Sequence, residues 1–304
     1  MYKAVVTGPT GAVGTALCKK LIEENVKVYA VCREDSQRTD NIPSDAEKVF
    51  CDISRLSELP AAVGSADVFY HLAWADTFGA GRNNMYSQTD NIRYSLDAVN
   101  AAESLGCECF IGAGSQAEYG RHNSLLTPDT PCFPENGYGA AKLCAGNMTR
   151  MICSSRGIRH VWARILSVYG PYDGSGTLIS YLINLLADGK SPELTAGEQL
   201  WDYIFSYDAA EALYLMWKKG RGGAVYPVGS GNVRPLREYI TEIGNMISPG
   251  VPLGFGKKEY SPGQVMFLGA DITSLQEELG FSPKYSFIEG IEITYEYYKS
   301  RRSK

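Results

Sequence analysis

Hydrophobic residues in the first half of the chain fall in short runs that alternate with amphipathic stretches. The runs are Ala4–Val6, Val26–Val31, Lys48–Ile53, Asp67–Ala73 and Cys107–Gly112. Helical periodicity marks Thr15–Glu24, Ser54–Val63 and Asn91–Leu105. Short apolar runs separated by helices are typical of buried parallel strands, so the pattern predicts an α/β protein with a doubly wound parallel sheet.

The strict alternation ends near Thr177. Beyond it the pattern predicts a strand at Ala224–Val228 and helices at Leu178–Ala187, Asp208–Lys218, Pro235–Met246 and Asp271–Leu279. We therefore expect a main domain over residues 1–170 and a smaller mixed α/β lobe over 171–304, with residues of about 200–230 returning to the main domain. The tail Lys299–Lys304 is expected to be a frayed, solvated end.

Three glycines follow the first apolar run at three-residue spacing. Gly8, Gly11 and Gly14 lie between this strand and the first helix, where backbone N–H groups and the helix dipole can face a pyrophosphate. A lone glycine motif is equally compatible with an ordinary turn. The spacing resembles the TGxxGxxG signature of the short-chain dehydrogenase/reductase superfamily.

The end of the second strand bears on the choice of dinucleotide. An acidic residue there would accept hydrogen bonds from the adenosine ribose, but the chain has Cys32 followed by Arg33, and arginine can pair with a 2′-phosphate. This favours NADP(H) over NAD(H). The nearby acids Glu34 and Asp35 keep NAD(H) as the alternative.

A candidate catalytic set follows the fifth strand. Tyr138 and Lys142 are four residues apart on a predicted helix and share a face, so the ammonium would lower the tyrosine pKa from about 10. Such a tyrosine can pass a proton to or from a substrate oxygen while hydride moves at the attached carbon. Ser115 is placed to hydrogen-bond the same oxygen.

The order of several further elements strengthens this interpretation. Asp52, the HLAW string at His71–Trp74, Asn91, Arg164–Pro171 and Trp201–Ala212 match in order and spacing the elements of extended short-chain dehydrogenase/reductases. Over nearly its whole length the chain resembles the NAD-dependent epimerase/dehydratase family. The resemblance implies a Rossmann-type sheet and an NAD(P)-dependent enzyme.

The resemblance also implies roles for individual residues. Besides the catalytic Ser115, Tyr138 and Lys142, it assigns cofactor contacts to Gly8, Thr10, Gly11, Ala12, Val13, Gly14, Arg33, Asp52, Ile53, Leu72, Ala73, Asn91, Tyr138, Lys142 and Leu166, and substrate contacts to Trp74, Gln116, Ser167 and Trp201. Two of these elements have structural alternatives. Asp52 could be a helix cap, and the strand around His71 favours a packed histidine over a catalyst.

The residues after Ser115 bear on the reaction. In the family's 4,6-dehydratases these two positions are Asp and Glu, whereas here they are Gln116 and Ala117, so we expect no 4,6-dehydratase. A nucleotide-sugar 4-epimerase or 4-ketosugar reductase with Tyr138 as general acid/base is then expected. Arg33 and the resemblance of Gln264–Pro283 to deoxysugar 4-reductases favour the reductase.

Two departures count against a nucleotide-sugar substrate. Family members usually hold the diphosphate with arginines at the positions of Trp201 and Ser261, often helped by Asn at the position of Ser167. Other cations could substitute, although solvated surface charge is the favoured interpretation of each one taken singly; these are Arg82, Arg234, Lys257 and Lys258. The alternatives are an NADPH-dependent reductase of a non-nucleotide carbonyl compound and, remotely, a non-catalytic dinucleotide sensor.

The composition of the chain further limits what kind of protein it can be. The 304 residues are 44% hydrophobic and 21% charged with a formal net charge of −5, which argues against a nucleic-acid partner. The absence of a long apolar run and the start of the chain in a core strand predict a cytoplasmic protein without membrane contact. Eight cysteines without a CxxC pair and three histidines predict no metal site.

The family resemblance also implies an oligomeric state. By the resemblance we expect a homodimer formed through the helices that carry Asn91 and Tyr138.

Overall fold

The computed structural model describes residues 1–302, and its centre is a parallel sheet. Within these residues the sheet has seven strands: β1 Lys3–Thr7, β2 Lys27–Cys32, β3 Glu47–Phe50, β4 Val68–His71, β5 Cys109–Ser115, β6 Arg159–Ile165 and β10 Ala224–Val228. Their order across the sheet is β10-β6-β5-β4-β1-β2-β3. The predicted fold class is confirmed.

Helices cover both faces of the sheet. They are α1 Ala12–Glu23, α2 Leu59–Val63, α3 Met85–Ser104, α4 Gly137–Ser155 and α6 Ser206–Lys219. Val6 of β1 packs in a cluster with Leu17 of α1 and Leu213 of α6, whereas its neighbour Val5 packs in a second cluster with Val99 of α3. Successive strand residues therefore enter opposite cores, which explains why these strands are apolar on both faces.

A smaller lobe lies beyond the main sheet. Its helices are α5 Leu178–Ala187, α7 Leu236–Ile247, α8 Thr273–Leu279 and α9 Phe287–Arg302, and its strands are β7 Ser167–Tyr169, β8 Leu200–Trp201, β9 Tyr203–Phe205, β11 Arg234–Pro235 and β12 Phe267–Leu268. A third cluster, which includes Leu182, Ile243 and Ile291, forms its core. The chain returns to the main domain between these elements, since α6 packs on α1 and β10 pairs with β6.

Several boundaries differ from the predictions. The helix predicted from Asn91 begins at Met85, because the Asn84 side chain caps it by accepting from the Ser87 N–H. The segment after Asp52 is a 3₁₀ turn, Ile53–Glu58, before α2 begins.

The C-terminal helix α9 was not predicted. Most of the expected frayed tail is the end of this helix, where Arg301 donates to Asn41 Oδ1 at 2.9 Å and Arg302 to Asp188 Oδ1 at 2.8 Å. Residues 303 and 304 of that expected tail lie outside the described residues. Across the described part of the chain, no helix combines the length and apolar character needed to cross a membrane.

Candidate active site

The carboxyl ends of β5, β4 and β1 meet at one edge of the sheet. In the strand register Thr7 lies beside His71, and His71 beside Gly112. Thr7 Oγ1 lies 3.1 Å from His71 Nδ1 and accepts hydrogen bonds from the N–H groups of Leu72 (3.1 Å) and Ala73 (3.2 Å). The glycine turn after β1 and the HLAW segment after β4 are therefore bonded together. Burial and the charge of Lys142 lower the pKa of His71 to about 3, as expected for a packed, neutral histidine.

The glycine turn leaves space where a pyrophosphate would bind. A Cβ at Gly8, whose φ is +71°, would lie 2.9 Å from Ala73 N, and one at Gly14 would lie 2.1 Å from Gly8 O. At Gly11 nothing lies within 4 Å of that position. Gly11 is the N-cap of α1, and no side chain of residues 1–302 caps this helix. The first N–H groups of α1 are thus available to an anion, so the turn fits a dinucleotide.

Ser115 and Tyr138 are brought together by close backbone packing. Ser115 ends β5, and its Oγ accepts from Ala117 N at 3.2 Å at the start of a 3₁₀ turn that also contains Gln116. A Cβ at Gly139 would lie 2.2 Å from Ala117 O, so the first turn of α4 packs directly on this turn. Hydrogen bonding from Ser115 acts to lower the pKa of Tyr138, which places the two side chains at one site.

Lys142 is buried beneath an aromatic ring. The side chain donates from Nζ to the carbonyl oxygen of Ala113 at 2.6 Å, and Nζ lies 3.7 Å from the centroid of the Trp74 ring and 5.9 Å from that of Tyr138. Burial lowers the pKa of Lys142 to about 7, while the charge of Glu118 acts in the opposite direction. The amine of Lys142 is therefore only partly protonated near neutral pH.

The phenol of Tyr138 lies between two side chains of the loop that follows β4. The guanidinium carbon of Arg82 is 4.7 Å from its ring centroid, and the Trp74 ring meets it edge-on at 6.1 Å. Burial raises the pKa of Tyr138 and outweighs hydrogen bonding from Ser115 and the charge of Arg82. The expected net lowering of this pKa does not occur here, because the effect of burial is larger than that of the positive charge nearby. A neutral phenol is the form that can donate a proton.

Two amide side chains of α3 hold the loop that carries Trp74. Asn91 Oδ1 accepts from Ala75 N at 2.9 Å and its Nδ2 donates to Ala75 O at 3.0 Å. Gln88 Oε1 accepts from Trp74 Nε1 at 2.9 Å, and its Nε2 donates to Asp76 O. The sequence analysis missed Gln88, although its position three residues before Asn91 places both on one helix face.

The residues assigned to the adenosine end lie at the ends of β2 and β3. Cys32 is buried, and Arg33 is exposed with its guanidinium 3.6 Å from Asp35. Asp52 Oδ1 accepts from the N–H and hydroxyl of Ser54 at 2.9 and 2.7 Å, as a helix cap does, so its side chain is engaged by the chain itself. Ile53 begins the 3₁₀ turn that follows.

Asn41 is a second residue that the sequence analysis missed. Its Nδ2 donates to the carbonyl oxygen of Thr10 at 3.0 Å, and its Oδ1 accepts from Arg301 at 2.9 Å. The amide is buried. It therefore fixes the glycine turn from outside the motif, through contacts that local sequence does not reveal.

The proposed substrate residues Ser167 and Trp201 are in direct contact. Trp201 Nε1 donates to Ser167 Oγ at 2.8 Å, and Trp201 lines a cavity of about 490 Å³. The buried Oε1 of Gln199, on the same cavity, has no partner among residues 1–302. Leu166, before Ser167, donates its N–H to Val228 O at 3.0 Å.

The four candidate cations lie in different surroundings. Arg82 is at Tyr138 and Lys258 lines the same cavity as Trp201. Arg234 forms an ion pair with Glu242, and Lys257 is exposed. Within residues 1–302, no group of three or more His, Cys, Asp or Glu side chains could hold a metal ion.

The region that forms this site matches a known family. Residues 4–229 match the model of the NAD dependent epimerase/dehydratase family. The chain belongs to this family. Membership supports a nicotinamide dinucleotide as the cofactor, in agreement with the open glycine turn.

Individual members of the family show how far the likeness extends. A dTDP-glucose 4,6-dehydratase of Xanthomonas campestris pv. campestris is 29% identical over 205 residues, which cover 64% of this chain but only 58% of that relative. A UDP-glucose 4-epimerase of Azospirillum brasilense is 24% identical over 95% of this chain and 89% of its own. The structure of a UDP-glucose 4-epimerase of Thermotoga maritima with UDP-glucose superposes with a TM-score of 0.88 at 22% identity and covers 99% of both chains.

These relatives correct one expectation. The side chains of Gln116 and Ala117 led us to exclude a 4,6-dehydratase, but curated 4,6-dehydratases are among the relatives that resemble this chain. The exclusion is therefore wrong. Two side chains are too little to decide the reaction, because acid/base groups can reach a substrate from other parts of a site.

Proposed function

We propose that this protein transfers hydride between a nicotinamide dinucleotide and a carbinol or ketone carbon of a sugar, as a nucleotide-sugar 4-ketoreductase or 4-epimerase. The observation that carries the proposal is the meeting of Ser115, Tyr138 and Lys142 at the carboxyl end of β5. Residues 1–170 would bind the cofactor, and residues 171–304 mainly the substrate.

The side chains at this site suit proton transfer to a carbonyl oxygen. Tyr138, neutral through burial, would donate its proton to the oxygen while Ser115 donates a hydrogen bond to it. The buried ammonium of Lys142 would stabilise the negative charge that forms on the phenol. When bound, the nicotinamide supplies or accepts the hydride at the carbon of the same carbonyl.

For the cofactor we propose NADP(H) over NAD(H). Cys32 offers no carboxylate to the adenosine ribose, and the largely exposed guanidinium of Arg33 lies 3.6 Å from Asp35. Such a side chain is free to turn toward a 2′-phosphate. Gly8, Gly11 and Gly14 would hold the pyrophosphate of either dinucleotide.

The cavity beside Trp201 is the proposed site for the rest of the substrate. Its size of about 490 Å³ suits a nucleoside, and relatives are named for UDP- and dTDP-sugars. Lys258 on its wall supplies one positive charge. The contact of Trp201 with Ser167, in place of charged diphosphate donors, favours the second candidate function, reduction of a non-nucleotide carbonyl compound.

Two experiments test the proposed function. First, the purified protein is denatured and any released dinucleotide is identified by mass. Stoichiometric NAD⁺ would favour the epimerase, and reversible binding with NADPH preferred over NADH would favour the reductase. Second, turnover is measured with UDP-glucose, UDP-galactose, a panel of 4-ketosugars and simple ketones.

Tyr138→Phe is the decisive variant in these assays. It should lower turnover by roughly 10²- to 10⁴-fold, the range for loss of a general acid, and leave dinucleotide binding intact. Turnover that survives the change would refute the assignment. A wild-type protein that binds the dinucleotide but turns over no substrate in the panel would instead support a dinucleotide sensor.

A further inference from the structure

Glu118 is a buried carboxylate whose hydrogen bonds all come from the edge of the active site. It has no exposed surface, and its Oε1 accepts from the backbone N–H of Ser115 at 2.7 Å and from Trp162 Nε1 at 3.0 Å. Its Oε2 accepts from Arg164 Nε at 2.7 Å. The carboxylate thus ties the last residue of β5 to two side chains of β6.

The backbone around Glu118 is built to admit this contact. A Cβ at Gly114 would lie 2.4 Å from Glu118 Oε1 and 2.3 Å from Trp162 Nε1, and one at Gly112 would lie 2.1 Å from the Trp162 ring. On α4, a Cβ at Gly146 would lie 2.7 Å from the same ring. Glycine at these three positions lets the indole pass between β5 and α4 and reach the carboxylate.

We propose that Glu118 is a positioning residue of this active site: its carboxylate fixes the backbone of Ser115 and places a negative charge at the end of β5, two residues along the strand from the Ala113 carbonyl that holds the ammonium of Lys142. The proposal rests on the function proposed above. It assigns to Glu118 an effect on the catalytic side chains in addition to packing. The fold alone gives little reason for the charge, since a buried ion pair is often no more stabilising than apolar side chains of similar size.

The electrostatics of the neighbouring groups agree with this placement. The charge of Glu118 acts to raise the pKa of both Lys142 and Tyr138, against the effect of burial on Lys142. Other titratable or charged groups also face Glu118, Tyr138 or Lys142. They are Arg164 and His160 of β6, Arg150 of α4, Tyr119, Cys132, His71 of β4 and Arg82. Of the carboxylates, only Glu118 acts on Lys142 in the structure of residues 1–302.

The test follows the protonation of Lys142 directly and needs no substrate. Protein labelled with ¹³Cε-lysine is titrated by NMR, and the Lys142 signal is the one missing from Lys142→Met. We expect Glu118→Gln to lower the Lys142 midpoint by about 1 pH unit, the order of effect of one nearby charge. The matched control is Asp208→Asn, a buried carboxylate that accepts from the N–H groups of Lys284 and Tyr285 in another part of the fold. It should leave the midpoint unchanged.

A second variant covers the case in which Glu118→Gln does not fold. The double variant Glu118→Gln, Arg164→Met removes both charges of the buried pair, so no unpaired guanidinium remains. The midpoint of Lys142 should fall in this variant too, because Glu118 and not Arg164 acts on it. An unchanged midpoint in either folded variant overturns the proposal.

Activity supplies an independent arm. The amide oxygen introduced by Glu118→Gln can still accept a hydrogen bond from the Ser115 N–H, so this variant should keep the wild-type KM. The midpoint of the pH dependence of kcat should shift to lower pH. Glu118→Leu should instead lower kcat itself, because no acceptor remains for that N–H. If the Glu118→Gln variant loses stability but the midpoint of the pH dependence of kcat does not change, Glu118 contributes only to packing. If wild-type protein shows no turnover, the proposed function fails while the NMR result still decides the charge effect.

Discussion

The glycine turn allows a substitution that should separate cofactor binding from folding. In Gly11→Ala the new Cβ meets no atom within 4 Å, and the backbone φ of −89° is one that alanine adopts readily. The fold should therefore accept the methyl group without loss of stability. The same methyl would occupy the open space at this turn, where we propose that the pyrophosphate binds.

The size of the effect follows from the contacts that would be lost. A hydrogen bond to a charged group contributes about 1.5–3 kcal/mol, so displacement of the pyrophosphate from one N–H group would weaken the dinucleotide Kd roughly 10- to 150-fold. Gly14→Ala should act differently, because its Cβ would lie 2.1 Å from Gly8 O and 2.9 Å from Pro9 Cα. Backbone atoms cannot step aside easily, and overpacking of this kind costs about 1–3 kcal/mol of stability.

The assay pairs calorimetric titration of NADPH and NADH with unfolding in urea. Gly222→Ala is the control, since its Cβ would have only an ordinary contact of 3.7 Å with Arg159. We expect Gly11→Ala to lose affinity and keep its unfolding midpoint, Gly14→Ala to lose stability, and the control to change neither. Wild-type affinity in a folded Gly11→Ala would show that the turn does not hold the pyrophosphate.

Three further predictions address the cofactor, the buried lysine and the assembly. Arg33→Ser should weaken NADPH binding by roughly tenfold or more, as for loss of one charged hydrogen bond, with NADH as the internal control; equal losses for both would contradict the 2′-phosphate role. The pKa of Lys142 is lowered from 10.5 to about 7, so between these pH values the unfolded chain binds more protons than the folded protein. The free energy of unfolding of the wild type should therefore rise with pH across this window relative to that of Lys142→Met. A difference in unfolding free energy between the two proteins that does not change with pH would contradict burial of the Lys142 ammonium. Met148 and Met151 on α4 are 39% and 62% exposed, and light scattering should find a homodimer that Met151→Glu converts to monomer; a monomeric wild-type protein would refute the expected assembly.

The sheet was predictable where its strands are apolar on both faces. Strands β1, β2, β4 and β5 have such runs, whereas the edge strand β3 is mostly exposed. The strand β6, with the sequence RHVWARI, was not recognised. Its buried polar side chains bond residues of other elements: His160 Nε2 lies 2.9 Å from Thr149 Oγ1, and Arg164 bonds Glu118. Partners at this separation in sequence leave no local pattern. The helix α9 was missed for another reason, since Ile and Tyr, which occur three times each in it, are weaker helix formers than Ala or Leu.

In the candidate site, too, only part of the arrangement could be predicted from the sequence. Residue types in a fixed order predicted Ser115, Tyr138 and Lys142, and the structure brings these three together. The residues that fix the loop and the backbone around these three were not predicted. Gln88 and Glu118 act through contacts with Trp74 and the Ser115 backbone, and such contacts become visible only in three dimensions.

The protonation of the site bears on the direction of the proposed reaction. Tyr138 has a raised pKa and Lys142 a lowered one, so near neutral pH the phenol retains its proton and the amine is only partly charged. Reduction of a ketone needs a proton donor at this position, and oxidation of a carbinol needs a base. The neutral phenol of Tyr138 is therefore ready to donate a proton, as the reductive direction of the proposed reaction requires. An epimerase must run both directions within one turnover, and in this site the oxidative half would require additional positive charge beside Tyr138 to release its proton.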